Sequence, residues 1–335
     1  MVLTDTLSRP LQTLRVSVTD RCNFRCPYCM PREVFPADYP FLGREEILHY
    51  EEIERLVAIF AAKGVRKVRL TGGEPLLRKA LPDLVRRLAR VRGVEDLALT
   101  TNGALLAEAA NPLKEAGLHR LTVSLDTLDG GRFRNLGDTE IPLQRVLSGL
   151  EAARSAGFGP IKLNCVLQRG INDDEILDLA TFAREAGHIL RFIEFMDVGT
   201  RNGWKLDAVV PADEVLARIS ERWNIEPVEE SQTGRVAERW RYRDGAGEFG
   251  IIASVTKAFC GGCDRARLSA EGALYTCLFA GEGVNLKTAL RNGASDSDIG
   301  ALIASTWKRR DDRYSELRGA ATAPARKVEM FHIGG

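Results

Sequence analysis

The sequence predicts an α/β chain built on a parallel sheet, on three observations. Short β-type runs alternate with helical patterns from Leu14 to about Met196: Leu14–Thr19, Val65–Thr71, Asp96–Thr101, Arg120–Leu125, Ile161–Leu167 and Leu190–Met196. Amphipathic stretches such as Glu45–Lys63, Leu81–Val91, Pro142–Ala156 and Asp173–Ala186 lie between them, with apolar residues at helical spacing. Glycine closes several at Gly64, Gly93, Gly117, Gly157 and Gly187, where a left-handed cap suits a residue without Cβ. Six strand–helix units in series imply parallel strands with right-handed crossovers, as an open doubly wound sheet or an incomplete barrel.

Strands buried on both faces should read as nearly continuous apolar runs. Here Arg15, Arg69, Thr100, Ser124, Lys162 and Arg191 interrupt them. One such residue would mark an edge strand. Six strands breaking the rule point instead to a polar lumen inside a curved sheet, an incomplete (β/α)6 TIM-type barrel. Buried Arg and Lys need a partner such as phosphate.

The 335 residues are 44% hydrophobic and 28% charged, ample for one large domain and a smaller one. No apolar stretch approaches the roughly 20 residues that span a bilayer, so no membrane role is expected. The net charge of +1 argues against a broad nucleic-acid surface. The start Met-Val-Leu-Thr-Asp-Thr has no basic segment followed by an apolar stretch, so the expected location is the cytoplasm. His49, His119, His188 and His332 are scattered and are given no catalytic part.

Cys22, Cys26 and Cys29 fall within eight residues, and Cys260, Cys263 and Cys277 form a second triplet. Disulfides do not suit a reducing compartment. Structural zinc takes four closed ligands, and the two triplets together would leave six thiols for one ion. Three thiolates per site suit iron–sulfur clusters, each with one iron free for chemistry. Cys165, in an apolar run, reads as a small core residue. At the end of the second strand, Thr71-Gly72-Gly73-Glu74-Pro75 combines glycines for close backbone approach with a carboxylate suited to an ammonium group.

With these two motifs the chain resembles the radical S-adenosylmethionine enzymes. The segments Arg15–Cys26, Ser124–Leu128, Arg191–Met196, Phe259–Leu268 and Met330–Gly335 resemble, more narrowly, molybdenum cofactor biosynthesis protein A, the GTP 3′,8-cyclase family. The likeness departs at Pro31–Phe35, and at Asp197 and Lys257, where the family commonly has proline.

The resemblance implies two [4Fe-4S] clusters, on Cys22, Cys26 and Cys29 and on Cys260, Cys263 and Cys277. It implies S-adenosylmethionine as cosubstrate, contacted by Tyr28, Gly73, Glu74, Ser124 and Met196, and GTP as substrate, lined by Arg15, Arg69, Thr100, Lys162, Arg191, Arg265, Ala266 and Arg267. A 5′-deoxyadenosyl radical would take hydrogen from C3′ of GTP, and C3′ would close onto guanine C8 to give 3′,8-cyclo-7,8-dihydro-GTP. Arg15, Arg265, Arg267 and the terminal Gly334 and Gly335 would take part in catalysis. The implied partners are a one-electron donor such as flavodoxin or ferredoxin and a downstream cyclic pyranopterin monophosphate synthase, with room for a homodimer.

A composition shift near Trp204–Pro211 divides the chain into residues 1–210, the partial barrel, and 211–335, a smaller α+β domain with the second cluster and the Gly-Gly tail. The runs Arg235–Arg243, Phe249–Val255 and Arg267–Thr276 read as antiparallel strands, and Leu286–Asn292 and Ser297–Lys308 as helices. This part would cap the barrel and exclude water and oxygen from a reactive radical. Two rivals stand beside this reading. A peptide-modifying radical enzyme would carry more cysteines in the second region and fewer cations in the pocket, and an electron carrier would need neither open ligand positions nor a lined cavity.

Overall fold

The computed structural model describes residues 2–228, 234, 236–318 and 327–334. Twelve strands form one mixed sheet: β1 Thr13–Ser17, β2 Lys67–Thr71, β3 Asp96–Thr101, β4 Arg120–Ser124, β5 Lys162–Leu167, β6 Ile189–Glu194, β7 Ile225–Pro227, β8 Glu238–Tyr242, β9 Glu248–Ile252, β10 Arg265–Leu268, β11 Ala273–Tyr275 and β12 Val284–Asn285. Their order is β12-β11-β10-β1-β2-β3-β4-β5-β6-β9-β8-β7. β1 to β6 pair in parallel, each with the next in sequence, as expected of serial strand–helix units.

The helices are α1 Tyr50–Ala62, α2 Leu81–Leu88, α3 Leu106–Glu115, α4 Gly130–Gly137, α5 Leu143–Ser155, α6 Ile176–Glu185, α7 Ala212–Ser220, α8 Leu286–Arg291, α9 Asp296–Lys308, α10 Tyr314–Leu317 and α11 Met330–Ile333. Helix α1 starts five residues later than its hydrophobic pattern, at a capping box formed by His49 and Glu52. Along the parallel strands one set of alternate residues, including Leu14, Val16, Val68, Leu70, Leu97, Leu99, Val123, Leu163, Cys165 and Phe192, joins the main core with Ile53, Phe60, Leu84, Leu113, Val146 and Leu179 of the helices. Cys165 is fully buried there, as read from sequence. Among the described residues no helix is long and apolar enough to cross a membrane.

Two expectations are corrected. The run Arg267–Thr276 is not one strand: β10 and β11 form a hairpin, turned at Gly272 with φ +84°. Nor is the pairing after residue 211 wholly antiparallel. β9 lies parallel to β6 and β10 parallel to β1, because both edges of a six-strand parallel sheet offer unpaired backbone groups. The start of the run expected at Arg235 lies outside the described residues, and the strand begins at Glu238.

Candidate active site

The other set of alternate strand residues faces a cavity of about 810 Å³, a size typical of sites for small ligands. Its wall includes Arg15 on β1, Arg69 and Thr71 on β2, Thr100 on β3, Thr122 and Ser124 on β4, Lys162 and Asn164 on β5, and Arg191 on β6. The period of two along a strand accounts for this. All six polar interruptions read from the sequence therefore meet in one space.

Register sharpens the picture. Arg15 stands opposite Arg69 on one side and Arg267 on the other, so three guanidinium groups lie abreast across three strands. Like charges side by side are destabilising. Burial first, then Arg267, Arg265 and Arg69, push Arg15 well below its ordinary pKa. Burial also brings Arg69 and Arg267 down to about 10 and Arg191 to about 9. Lys162 falls to about 7, through burial and then Arg191, Arg120 and Arg69. Among the described residues Arg69 donates only to the neutral hydroxyls of Thr100 and Thr122, both at 3.0 Å, and Nε of Arg265 is buried without a partner there. At the far end Asp96 and Glu248 neutralise Arg120 and Arg239. The central cations thus call for an anionic ligand.

The first cysteine triplet follows β1, at the C-terminal end of the parallel strands. Backbone N–H groups of Cys29 and Met30 donate to the Cys26 carbonyl at 2.9 and 2.8 Å. Arg25 ties the loop together by donating to the carbonyls of Cys22, Phe24 and Phe35 at 2.8–2.9 Å. All three thiols are unpaired and line the cavity. Burial pushes Cys22 up to about 12 and raises Cys26 and Cys29.

At Gly72 and Gly73 the backbone passes close to the cysteine loop. A methyl group on either would collide with the backbone of residues 19–21. Gly73 and Glu74 donate backbone N–H groups to the carbonyls of Thr19 and Arg21, both at 2.8 Å, fixing the cysteine loop to β2. Glu74 accepts from the N–H of Leu76 at 3.0 Å, the Thr101 hydroxyl at 2.7 Å and the N–H of Asn102 at 2.7 Å. Its carboxyl, raised to about 7 by burial, thereby joins the ends of β2 and β3. Glu74 also lines the cavity, where the sequence suggests a partner for an ammonium group.

Tyr28, Gly73, Ser124 and Met196 share the cavity wall with the first triplet. Tyr28 donates to Asp126 at 2.7 Å, and Asp126 accepts from the Val166 N–H at 2.8 Å. Asp126 and Asn102, whose side-chain amide donates to Asn23 at 2.8 Å, were missed as site residues. Their signal in the sequence is positional: each follows a strand that carries a polar interruption, Thr100 or Ser124.

Cys260, Cys263 and Cys277 line the same cavity. Although burial pushes Cys263 upward, Arg265 and Arg310 hold it at about 6; Arg265 lies 3.3 Å from its sulfur. Cys277, without such a contact, is raised to about 11 by burial. Arg265 and Arg267 face the cavity, while Ala266 is fully buried in the core. The alternation of β10 thus excludes the Ala266 side chain from the pocket.

Residues 332–334 are docked. Ile333 is fully buried, His332 lies 2.6 Å from Glu271, and the Gly334 carbonyl accepts from Arg267. Gly335 lies outside the described residues. Upstream, Asp197 accepts from Arg318 at 2.9 Å, Lys327 at 2.8 Å and Tyr314, so aspartate at this position fastens the tail.

Known proteins fit this geometry. Residues 16–183 match the Radical SAM superfamily and residues 188–316 match Molybdenum Cofactor Synthesis C. The chain is 55% identical over 356 aligned positions to the GTP 3′,8-cyclase of Acidothermus cellulolyticus, covering 99% of this chain and 98% of the relative. It is 50% identical over 331 positions to that of Xanthomonas campestris pv. campestris strain B100, covering 99% and 97%. Among solved structures, Streptococcus suis SuiB bound to S-adenosylmethionine aligns with TM-score 0.61 at 15% identity, over 93% of this chain and 68% of SuiB, a likeness of fold. With both cluster motifs, the cation-lined cavity and near full-length identity in agreement, the chain belongs to the GTP 3′,8-cyclase family of radical S-adenosylmethionine enzymes.

Proposed function

We propose that this chain catalyses the GTP 3′,8-cyclase reaction, the first step of molybdenum cofactor biosynthesis, on GTP held between two [4Fe-4S] clusters. One observation carries the reading: triplets from opposite ends of the sequence converge on a single cavity whose wall bears Arg15, Arg69, Lys162, Arg191, Arg265 and Arg267. The donor sets fit, since each offers three unpaired thiols and leaves one corner of a four-iron cluster open. The clusters and S-adenosylmethionine, when bound, supply one-electron chemistry that removes hydrogen from C3′ and, after closure onto C8 and gain of one electron and one proton, leaves 3′,8-cyclo-7,8-dihydro-GTP.

The chain's own residues bind and orient. Tyr28, held by Asp126, would position S-adenosylmethionine with Gly73, Ser124 and Met196 beside the first triplet. The arginines and Lys162 would hold a triphosphate of about four charges, which burial would exclude without such cations. Flat strands stand about 4.8 Å apart, so β1 to β6 would span roughly 24 Å. That all six line one cavity supports a sheet curled into an incomplete (β/α)6 barrel. We assign residues 1–210 to it and 211–335 to the part that carries the second cluster and covers the opening. Three cysteines there, rather than more, and the cationic wall favour a nucleotide over the peptide reading.

Anaerobic incubation with S-adenosylmethionine, a reductant and a panel of nucleotides, followed by chromatography and mass spectrometry, tests the proposal. An isomer of GTP should appear together with 5′-deoxyadenosine, and other nucleotides should give little. Consumption of S-adenosylmethionine with no GTP-derived product would overturn it.

Lys162 gives a second expected result. A bound triphosphate should return its pKa from about 7 toward the ordinary value of about 10.4. The free group is mostly neutral above neutrality and the bound group charged, so GTP binding should take up close to one proton between about pH 7.5 and 9. Below about pH 6 the free group is already charged and uptake by it vanishes. Calorimetry in buffers of different ionisation enthalpy reads this directly. The same uptake in Lys162→Met would assign the proton to another group.

A further inference from the structure

We infer that Asp5, Arg9 and Arg310 form a buried charged brace that positions the C-terminal cysteine loop, and that the Arg310–Cys263 contact raises the reduction potential of the cluster held there. This rests on the reading that Cys260, Cys263 and Cys277 carry a cluster. None of the three residues belongs to a cysteine motif. Asp5 and Arg9 precede β1 and Arg310 follows α9, so their meeting is a product of the fold.

The geometry is closed. The Arg9 and Arg310 side chains are each 1% exposed and that of Asp5 is fully buried. Nε of Arg9 lies 2.6 Å from Asp5, while its Nη1 donates to the carbonyls of Cys260 at 3.0 Å and Asp312 at 2.7 Å. Arg310 donates through Nη1 to the Cys263 carbonyl at 2.7 Å and through Nη2 to the Cys263 sulfur at 3.1 Å. Asp5 lies 3.4 Å from Arg310 and also accepts from the N–H groups of Leu7 and Arg9 at 2.9 Å. The Trp307 ring lies 4.5 Å under Arg310, and its N–H donates to the Arg9 carbonyl at 3.1 Å.

The brace is built wholly of charged groups. Two buried guanidinium groups face one fully buried carboxylate, with the part-exposed Asp312 at 3.4 Å from Arg310. A purely structural pair would do better neutral or apolar. The Arg310 guanidinium points at the Cys263 sulfur, where thiolate ligands of a cluster would bring further negative charge. Hydrogen bonds and positive charge at a cluster's sulfurs raise its reduction potential. The first triplet lacks this feature among the described residues: the donors to the Cys22 sulfur are the Phe24 N–H at 3.4 Å and the Asn102 amide at 3.9 Å. The second cluster should therefore be the easier of the two to reduce.

The test uses full-length enzyme reconstituted anaerobically, with iron analysis and potentiometric titration followed by electron paramagnetic resonance. Wild-type protein should hold about eight irons. About four would overturn the two-cluster reading, and this inference with it. Arg310→Gln should move the potential of the C-terminal cluster to more negative values and leave the N-terminal one unchanged, with Arg310→Lys between. Arg9→Met should lose iron toward about four per chain and keep the N-terminal cluster. Thr6→Ala, which removes a 2.6 Å bond to the Arg310 carbonyl but spares the guanidinium, should lower thermal stability without moving either potential. An unmoved potential in Arg310→Gln at full iron content overturns the inference. Where that variant fails to retain its cluster, a wild-type potential in Arg310→Lys does so.

Discussion

Cys26→Ala abolishes cleavage of S-adenosylmethionine, while Cys263→Ala retains some uncoupled cleavage and loses the cyclised product; this is the result expected from two triplets at different stations on one cavity. The first triplet adjoins Tyr28, Gly73 and Ser124, and its loop is tied to β2 through Gly73 and Glu74. Removing one of three ligands there leaves two thiolates, too few to keep a four-iron cluster, and the residues that would hold the cosubstrate adjoin this triplet rather than the second. Cys263 lies beside Arg265, on the cationic side, so its loss disturbs the nucleotide and spares the first cluster. Iron should fall from about eight to about four per chain in either variant. Formation of 5′-deoxyadenosine and of product, measured separately, distinguishes the two. Equal loss of cleavage in both would refute this division of labour.

Much of this arrangement is legible in the sequence because strands have a period of two and cluster ligands are local. Arg15, Arg69, Lys162 and Arg191 each break an apolar run, and the fold that buries one set of alternate residues brings the other set to a common face. The cysteine triplets need no tertiary argument. Features made by distant segments are harder to read. That Glu74 also accepts from Thr101 and Asn102 of the next strand is visible only in the fold. Arg310 is an ordinary charged residue after a helix until Asp5 and Cys263 surround it. The β10–β11 hairpin reads as one strand because its turn is short, only Ser269 to Gly272 between the apolar Leu268 and Ala273–Tyr275. Parallel pairing of β9 and β10 depends on the sheet edges they find, which no local pattern encodes.

Gly334→Val should abolish cyclase activity, or lower it at least tenfold, in a protein that keeps its fold and both clusters. A frayed end would tolerate the change, as chain ends usually do. Here Gly334 has φ +71°, a conformation that β-branched residues resist, and a methyl group on it would collide with the Thr71 side chain. Thr71 lines the cavity immediately before Gly72. The Gly334 carbonyl also accepts from Arg267, so displacing the tail both opens the site and alters a cation proposed to hold GTP. Most of the anchoring lies upstream, in buried Phe331 and Ile333, the His332–Glu271 pair and the Asp197–Lys327 contact, and the substitution leaves those intact. Stability should therefore drop by only about 1–3 kcal/mol, the cost of one strained backbone position. Ile333→Ala supplies the contrast, losing roughly 2–5 kcal/mol from a filled core position. Thermal unfolding, iron content and the anaerobic assay, run together on both variants, separate a tail that shapes the site from one that only steadies the fold. Full activity in Gly334→Val would show that Gly334 plays no part in the site and leave the cyclase assignment untouched.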